Sequence, residues 1–326
     1  MPTLLTTRRM DPALRERVAA SVRGERAAGG RGLSPRAVVA VRVLVVLAVV
    51  GAFATLGLAR RRDAARFDQD RAAVVASVQA ARAGLGDDER AAVARAHAAL
   101  APLALSYPGD DISPEIRAPG ALDRWLARPA LWVRGPASAF ASSEGISRAA
   151  ATPRDPTVLC LLDPPASRAE KSVLGKVRAT YAPGVLEERA AHVRRLGEAE
   201  HALAVLSPAF EAKVLAADSD RALALRRAEL DPLPLARGRA ALRATVAIGV
   251  ADEEGAPGGP TELDGERPHD VRFVLVDLER GRTLVRLRRR VDPSVWSQAA
   301  RAEHASGMDA CALAMDVRAA VAAAPR

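Results

Sequence analysis

The longest apolar pattern in the chain is an uninterrupted run near its N-terminus. Residues 43–59 begin at Val43, end at Ala59 and contain no charged side chain, while Arg42 and Arg60 flank them. Counted from Ala37, with the stem of Arg42 reaching back to the polar surface, the segment has 23 residues. A helix of about 20 apolar residues crosses the hydrocarbon core of a bilayer. The run therefore predicts one transmembrane helix over residues 37–59.

Helical periodicity marks the segments on both sides of this run. Before it, Asp11 and Pro12 can begin a short amphipathic helix that ends near Arg26. The rest of residues 1–36 is rich in Arg and Gly and is predicted to be largely disordered. After the run, helices over residues 63–83 and 88–103 are separated by a break at 84–86. We expect them to form a juxtamembrane helical hairpin over residues 60–105.

The remaining residues, 106–326, mix both periodicities. The pattern predicts helices over 121–126, 167–181, 185–206, 208–230 (with Ser207 as N-cap) and 309–323. It predicts strands over 130–134, 157–162, 245–251, 271–278 and 283–291. The last two strands form a hairpin with a turn at Arg280 and Gly281, which would pair Val274 with Leu287. We expect an α+β domain whose small mixed or antiparallel sheet of four to five strands packs with several helices.

Charge changes this picture only near the apolar run. The net charge of the chain is +9, and residues 1–42 carry nine Arg against three acidic residues, a net +6. Such an excess before a membrane helix favours a cytoplasmic N-terminus and an outward C-terminal domain. A nucleic-acid partner would require the excess on a folded face, and none is evident. A cleavable signal peptide is the alternative, but a long basic segment before the run and Arg60, Arg61 and Arg62 after it argue against cleavage.

Composition bears on the source of the protein and on the redox state of its two cysteines. Lys occurs only three times among 48 basic residues, and a chain so rich in Arg and Ala is typical of a GC-rich bacterial genome. The two cysteines, Cys160 and Cys311, would meet an oxidising compartment in an outward domain. The sequence leaves open whether they are bonded, and we favour two buried free thiols.

Candidate chemistry is sparse. The loop after Ala251 contains several acidic residues and a histidine that could bind a divalent cation, although a solvated acidic loop fits its Gly and Pro content better. The residues are Asp252, Glu253, Glu254, Glu262, Asp264, Glu266, His269 and Asp270. Ser167 and Lys171 have the spacing of a Ser–Lys dyad, but Ser167 is better explained as a helix N-cap. We assign no catalytic, cofactor-binding or metal-binding residue.

Histidines and arginines receive structural interpretations. His97, His192, His201 and His304 are expected at the surface, because no nucleophile motif accompanies them. Arg286, Arg288 and Arg290 alternate along one strand and could contact phosphates or an anionic polymer. We favour a covering role, in which their aliphatic stems lie over Phe273 and Leu275.

Two segments resemble known families. The stretch VRFVLVDLERGRTLVRLRRRV, with Val276-Asp277 and the turn glycine Gly281, is similar to a hairpin in bacterial curli-secretion lipoproteins and penicillin-binding-protein activators. That resemblance implies an envelope α+β domain. The start MDPALRERVAASV with Ser34-Pro35-Arg36 resembles the head of membrane-bound regulators encoded beside sigma factors, but it lacks the histidine and cysteine zinc motif of many anti-sigma factors.

Together these patterns predict a non-enzymatic, single-pass protein of the bacterial inner membrane. It would contact the lipid bilayer through residues 43–59 and bind another envelope component through its extracytoplasmic α+β domain, with no cofactor. The alternative is a transmembrane regulator that holds a cytoplasmic partner, as anti-sigma factors do, through the helix in residues 11–26.

Overall fold

The computed structural model describes Glu16 and residues 35–150, 156–180, 189–253 and 268–324. Its contacts divide the chain into two units, residues 1–68 and 69–326. The helix predicted over residues 11–26 lies outside the described residues except for Glu16, which is helical.

Helix α1 contains the apolar run. It extends over Pro35–Ala83, and every residue from 43 to 59 is exposed. It is the one helix of the described residues that is long and apolar enough to cross a membrane. The structure thus confirms a helix of suitable length and composition at the predicted place.

The helices beyond α1 are generally short. They are α2 (Asp87–Leu100), α3 (Ala121–Leu126), α4 (Ser143–Ala150), α5 (Thr157–Leu162), α6 (Glu170–Thr180), α7 (Leu196–Val205), α8 (Pro208–Leu215), α9 (Asp220–Glu229), α10 (Pro232–Leu242) and α11 (Gln298–Ala323). Ser207 caps α8 as expected, since its hydroxyl accepts a hydrogen bond from the N–H of Phe210 at 3.2 Å. The helix predicted over 208–230 is divided, because Ser219 caps a second helix, α9.

The strands of the described residues form a six-stranded mixed sheet in the order β1-β6-β5-β4-β2-β3. They are β1 (Asp111–Ile112), β2 (Ala130–Pro136), β3 (Val193–Arg195), β4 (Val246–Asp252), β5 (His269–Asp277) and β6 (Arg282–Val291). Strands β2, β3 and β4 are parallel, and the others pair antiparallel. The α+β class is confirmed, with six strands in place of the expected four to five.

Helices cover both faces of the sheet. One face packs a core with α3, α5, α6 and α11, and the opposite face packs a second core with α2, α4, α7 and α10. Strands β2 and β4 are therefore buried on both sides, which explains why they are almost continuously apolar in sequence. Gly238 in α10 permits close helix packing, because a Cβ there would lie 2.6 Å from both Ala202 Cβ and the carbonyl oxygen of Glu198.

The end of α1 packs within the second unit, residues 69–326, which we call the folded unit. Val74 and Val78 are buried. Arg82 donates through Nε to the carbonyl of Leu206 at 2.8 Å and through Nη2 to Glu211 at 2.7 Å. Residues 69–83 are thus part of the folded unit, while the helical hairpin proposed for residues 60–105 stays a prediction.

Two predicted elements near the middle of the chain are wrong, the second of them in part. The run over 157–162 forms helix α5 instead of a strand, and five of its six side chains are buried. A short run that is buried on all sides has no period to distinguish the two structures. The helix predicted over 185–206 is wrong at Val193 to Arg195, which form strand β3, and right over Leu196–Val205, which form α7.

The hairpin exists, but its predicted register is wrong by one residue. Val274 pairs with Arg286, and Phe273 pairs with Leu287. The turn begins one residue earlier than expected, since Asp277 pairs with Arg282, and a β-bulge lies between Leu275 and Val276. The carboxylate of Asp277, which is fully buried, accepts hydrogen bonds from the backbone N–H groups of Glu279 and Arg280 and holds this turn. Gly281 follows with φ +61°. A one-residue shift moves the β6 side chains to the other face relative to β5, so Phe273 and Leu275 share the first core with Leu287 and Val285, while Val274 and Val276 lie in the second core.

Cys160 and Cys311 form a disulfide with a Cα–Cα distance of 5.0 Å. Cys160 lies on α5 and Cys311 on α11, which begins at Gln298, earlier than predicted, with Ser297 as its N-cap. Both half-cystines are fully buried. The preference for free thiols, which placed the two residues on different sides of the sheet, is therefore wrong, because α5 and α11 pack in the same core.

Candidate functional site

A cleft of about 380 Å³ opens between α6, the end of β6 and α11. Its apolar lining includes Val173, Val291, Val295, Trp296 and Leu313, and its charged lining includes Arg168, Glu170, Arg290, Asp292, Asp309 and Asp316. Clefts of a few hundred cubic ångströms with apolar walls and a few polar groups are the usual sites of small ligands.

Local hydrogen bonds fix the rim of this cleft. Asp292 accepts from the backbone N–H of Ser294 at 3.0 Å, which begins the 3₁₀ turn Pro293–Val295. Ser297 then caps α11, and Glu170 of α6 accepts from both the N–H and the hydroxyl of Ser297, at 2.6 and 2.8 Å. The start of α11 is thereby attached to the start of α6 on either side of the cleft.

Asp309 lies among the residues that line the cleft and is 2% exposed. Its Oδ1 accepts a hydrogen bond from Trp296 Nε1 at 2.8 Å. Its Oδ2 is buried and has no hydrogen-bond partner among the described residues. A buried carboxylate oxygen without a donor is energetically costly.

The electrostatics of Asp309 reflect this position. Burial raises the pKa of Asp309 to about 6, and the hydrogen bond from Trp296 with the charges of His269 and Arg134 offsets burial only in part. The nearby carboxylate of Asp292 adds to the rise. Asp309 is thus a buried group that changes charge in the mildly acidic range.

Substituting Asp309 by Asn is expected to change the pH dependence of stability. The pKa of Asp309 is about 4 in the unfolded chain and about 6 in the folded protein. The stability that its protonated form contributes is therefore fully present below about pH 4 and is lost as the pH rises through about 6. Wild type should therefore lose about 3 kcal/mol relative to Asp309→Asn across this interval, measured by urea unfolding at several pH values.

The matched control is Asp163→Asn, which should give the opposite trend. The hydrogen bond from Lys176, with the charge of Arg189, lowers the pKa of Asp163 despite partial burial. The stability that Asp163 contributes is fully present above the pKa that it has in the unfolded chain. It is lost as the pH falls through the lower pKa that it has in the folded protein. A stability difference between wild type and Asp309→Asn that does not vary with pH would contradict the burial of an ionisable group at this position.

A second polar cluster lies where β4 ends and β5 begins. Arg134 donates to both carboxylate oxygens of Asp252, at 3.1 and 2.8 Å, and His269 Nε2 lies 3.3 Å from Asp252 Oδ1. Burial alone would raise the pKa of Asp252, but the charge of Arg134 and the bond to His269 bring it below its ordinary value. Glu253 pairs with Arg272 at 2.6 Å and with Arg288 at 2.5 Å.

These pairs correct the description of the acidic loop. Asp252 and Glu253 are partly buried in ion pairs with Arg134 and Arg272, and His269 is buried against Asp252, where a solvated loop was expected. Among the described residues, no three His, Cys, Asp or Glu side chains gather as metal ligands. Glu254, Glu262, Asp264 and Glu266 lie outside the described residues.

The covering role of the β6 arginines is wrong. Phe273 and Leu275 are fully buried in the core, on the sheet face opposite Arg286 and Arg288. Arg286 donates to the carbonyl of Gly109 at 3.0 Å, and Arg288 pairs with Asp270 at 2.9 Å. Arg290 lines the cleft and lies 3.7 Å from Asp270.

Two of the histidines are partly buried, where surface positions were expected. His97 Nε2 lies 2.9 Å from Glu200 Oε1, which also accepts from Ser147 Oγ at 2.5 Å. His192 Nε2 lies 2.8 Å from the carbonyl of Leu126, and His201 is exposed. Because Glu200 stands between Ser147 and His97, this serine donates to a carboxylate and not to the imidazole that would activate a nucleophile.

Ser167 is not the N-cap that we expected, because helix α6 begins at Glu170 and the Ser167 hydroxyl bonds to the residue before it. Ser167 Oγ accepts from the N–H of Ala169 at 3.4 Å just before α6, and Lys171 is exposed. The side chain of His304 lies outside the described residues.

Asp309 is the residue that sequence reasoning missed. It stands within the apolar stretch Met308-Asp309-Ala310-Cys311, and a lone carboxylate in such a stretch of helix is a recognisable signal. Its partner Trp296 could not be inferred, because the hydrogen bond depends on how the 3₁₀ turn directs the chain into α11.

Comparisons with protein-family models, curated proteins and solved structures return no match to this chain. The chain is therefore assigned to no family, and the resemblances of the hairpin and of the N-terminal segment stay resemblances.

Proposed function

We propose that the chain is a non-enzymatic, single-pass protein of a bacterial inner membrane, whose folded unit binds another envelope component. The observation that carries the proposal is that every residue from 43 to 59 on α1 is exposed. Exposed apolar helix surface of this length is unfavourable in water and favourable in hydrocarbon. The net charge of +6 before the helix supports an N-terminus in the cytoplasm and a folded unit outside.

The polar clusters support binding over catalysis. Asp252 and Glu253 are engaged by arginines, and Glu200 separates Ser147 from His97. In contrast, the cleft beside Trp296 joins apolar walls to a carboxylate that lacks a partner for one oxygen among the described residues. We take this cleft as the binding surface.

Orientation and binding are tested in cells of a bacterial host. Protease added to spheroplasts should digest the chain beyond Arg62 and spare the N-terminal tail. A photo-crosslinking residue at Val295, which is 66% exposed on the cleft rim, should give a discrete adduct. The same residue at Leu225, 60% exposed on α9 and not among the cleft residues, is the matched control.

Deletion of residues 1–30 separates this proposal from the regulator. The envelope protein should still insert and give the Val295 adduct after the deletion, whereas a regulator would lose its cytoplasmic partner. Protection of the folded unit from external protease, or equal adducts from Val295 and Leu225, would overturn the proposal.

A further inference from the structure

We infer that the cleft between α6 and α11 binds an organic cation, a primary ammonium group on an apolar body, with the carboxylate of Asp309 as its counter-ion. The inference rests on the proposed binding role of the folded unit and gives its ligand a chemical class.

The carboxylate supplies the polar contact. Trp296 Nε1 occupies Oδ1 of Asp309 at 2.8 Å, whereas Oδ2 has no donor among the residues that the structure describes. Asp309 is only 2% exposed, so water screens the charge of its carboxylate poorly. A carboxylate in this state is best satisfied by a donor that is itself charged.

The charge of the lining selects a cation. The described lining residues include four carboxylates, Glu170, Asp292, Asp309 and Asp316, against two guanidinium groups, Arg168 and Arg290. The arginines are already paired, Arg168 with Asp316 at 2.5 Å and Arg290 with Asp270 at 3.7 Å. The lining thus has net negative charge, which attracts a cation and disfavours an anion.

The walls select an apolar body. Val173, Val291, Trp296 and Leu313 line the cleft, and Val295 at its rim is 66% exposed. The volume of about 380 Å³ accommodates a ligand with a single aromatic ring. Burying such a ring stabilises the complex by the hydrophobic effect, while the ammonium group fixes its orientation.

The test uses the full chain in detergent and three probes with the same ring but different charge. Calorimetry should show that 2-phenylethylamine binds at one site, and that neutral 2-phenylethanol and anionic 3-phenylpropionate bind at least tenfold more weakly. This comparison needs no variant, so it does not depend on the folding of a mutant. Equal affinity for the amine and the alcohol would overturn the inference.

Variants locate the site. Asp309→Asn should reduce amine affinity at least tenfold, whereas the matched control Asp163→Asn, which removes a carboxylate that is not among the cleft residues, should reduce it less than threefold. Equal losses from the two variants would also overturn the inference. Neither failure affects the proposed function, which depends on insertion, orientation and the Val295 adduct.

Discussion

Replacing Leu47 and Val50 together by arginine is expected to release the protein from the carbonate-washed membrane fraction. Both side chains are exposed near the middle of the apolar part of α1, at 62% and 59%. An arginine at the centre of a membrane helix costs about 2.5–3.5 kcal/mol on the insertion scale, so the pair costs roughly 5–7 kcal/mol. Fractionation of cells that express the variant, followed by immunoblotting, measures the effect.

The matched control changes two exposed aliphatic residues of the folded unit to the same charge. Leu215 and Leu225 are 53% and 60% exposed, and replacing both by arginine should leave the protein in the membrane fraction. If Leu47→Arg/Val50→Arg also remains with membranes, residues 43–59 are not the anchor.

Loss of the disulfide is the second large effect that we expect. The bond between Cys160 and Cys311 spans 151 residues, and closing such a loop stabilises the folded state by about 5 kcal/mol in the chain-entropy model. Cys160→Ala/Cys311→Ala should lower the free energy of unfolding by roughly 2–5 kcal/mol. Alanine is chosen because both positions are fully buried and a serine hydroxyl would need a partner.

Urea unfolding of the detergent-solubilised chain, with and without reductant, measures this contribution. Reductant should lower the midpoint of the wild type and leave that of the double alanine variant unchanged. Equal midpoints for oxidised and reduced wild type would show that the bond adds no stability.

Much of the fold could be predicted where local pattern and burial agree. Strands β2 and β4, helix α3 and the two strands of the β5–β6 hairpin lie close to their predicted places, because each is bounded by turn residues or has a single consistent period. The long helix was the easiest element, since its apolar run is longer than any core element requires.

Two of the failures, the hairpin register and helix α5, share one physical cause, which is burial from two sides. Helices cover both faces of the sheet, so alternation along β5 does not identify one inner face, and the register cannot be read from it. Helix α5 is likewise buried on all sides and has no polar stripe. The site was missed for another reason, since Trp296 and Asp309 meet only when the chain turns into α11.

The short outer strands of the sheet have a consequence for how any partner is recognised. Strand β1 pairs only with Arg286 and Val285 of β6, and β3 covers only the first three residues of β2. Arg288 and Arg289 continue β6 beyond the cover of β1, while Gly135 and Pro136 end β2 beyond the cover of β3. Charged residues and proline at such borders discourage intermolecular strand addition and the polymerisation that follows from it. A partner is therefore expected to recognise side chains, and concentrated protein to resist β-type aggregation.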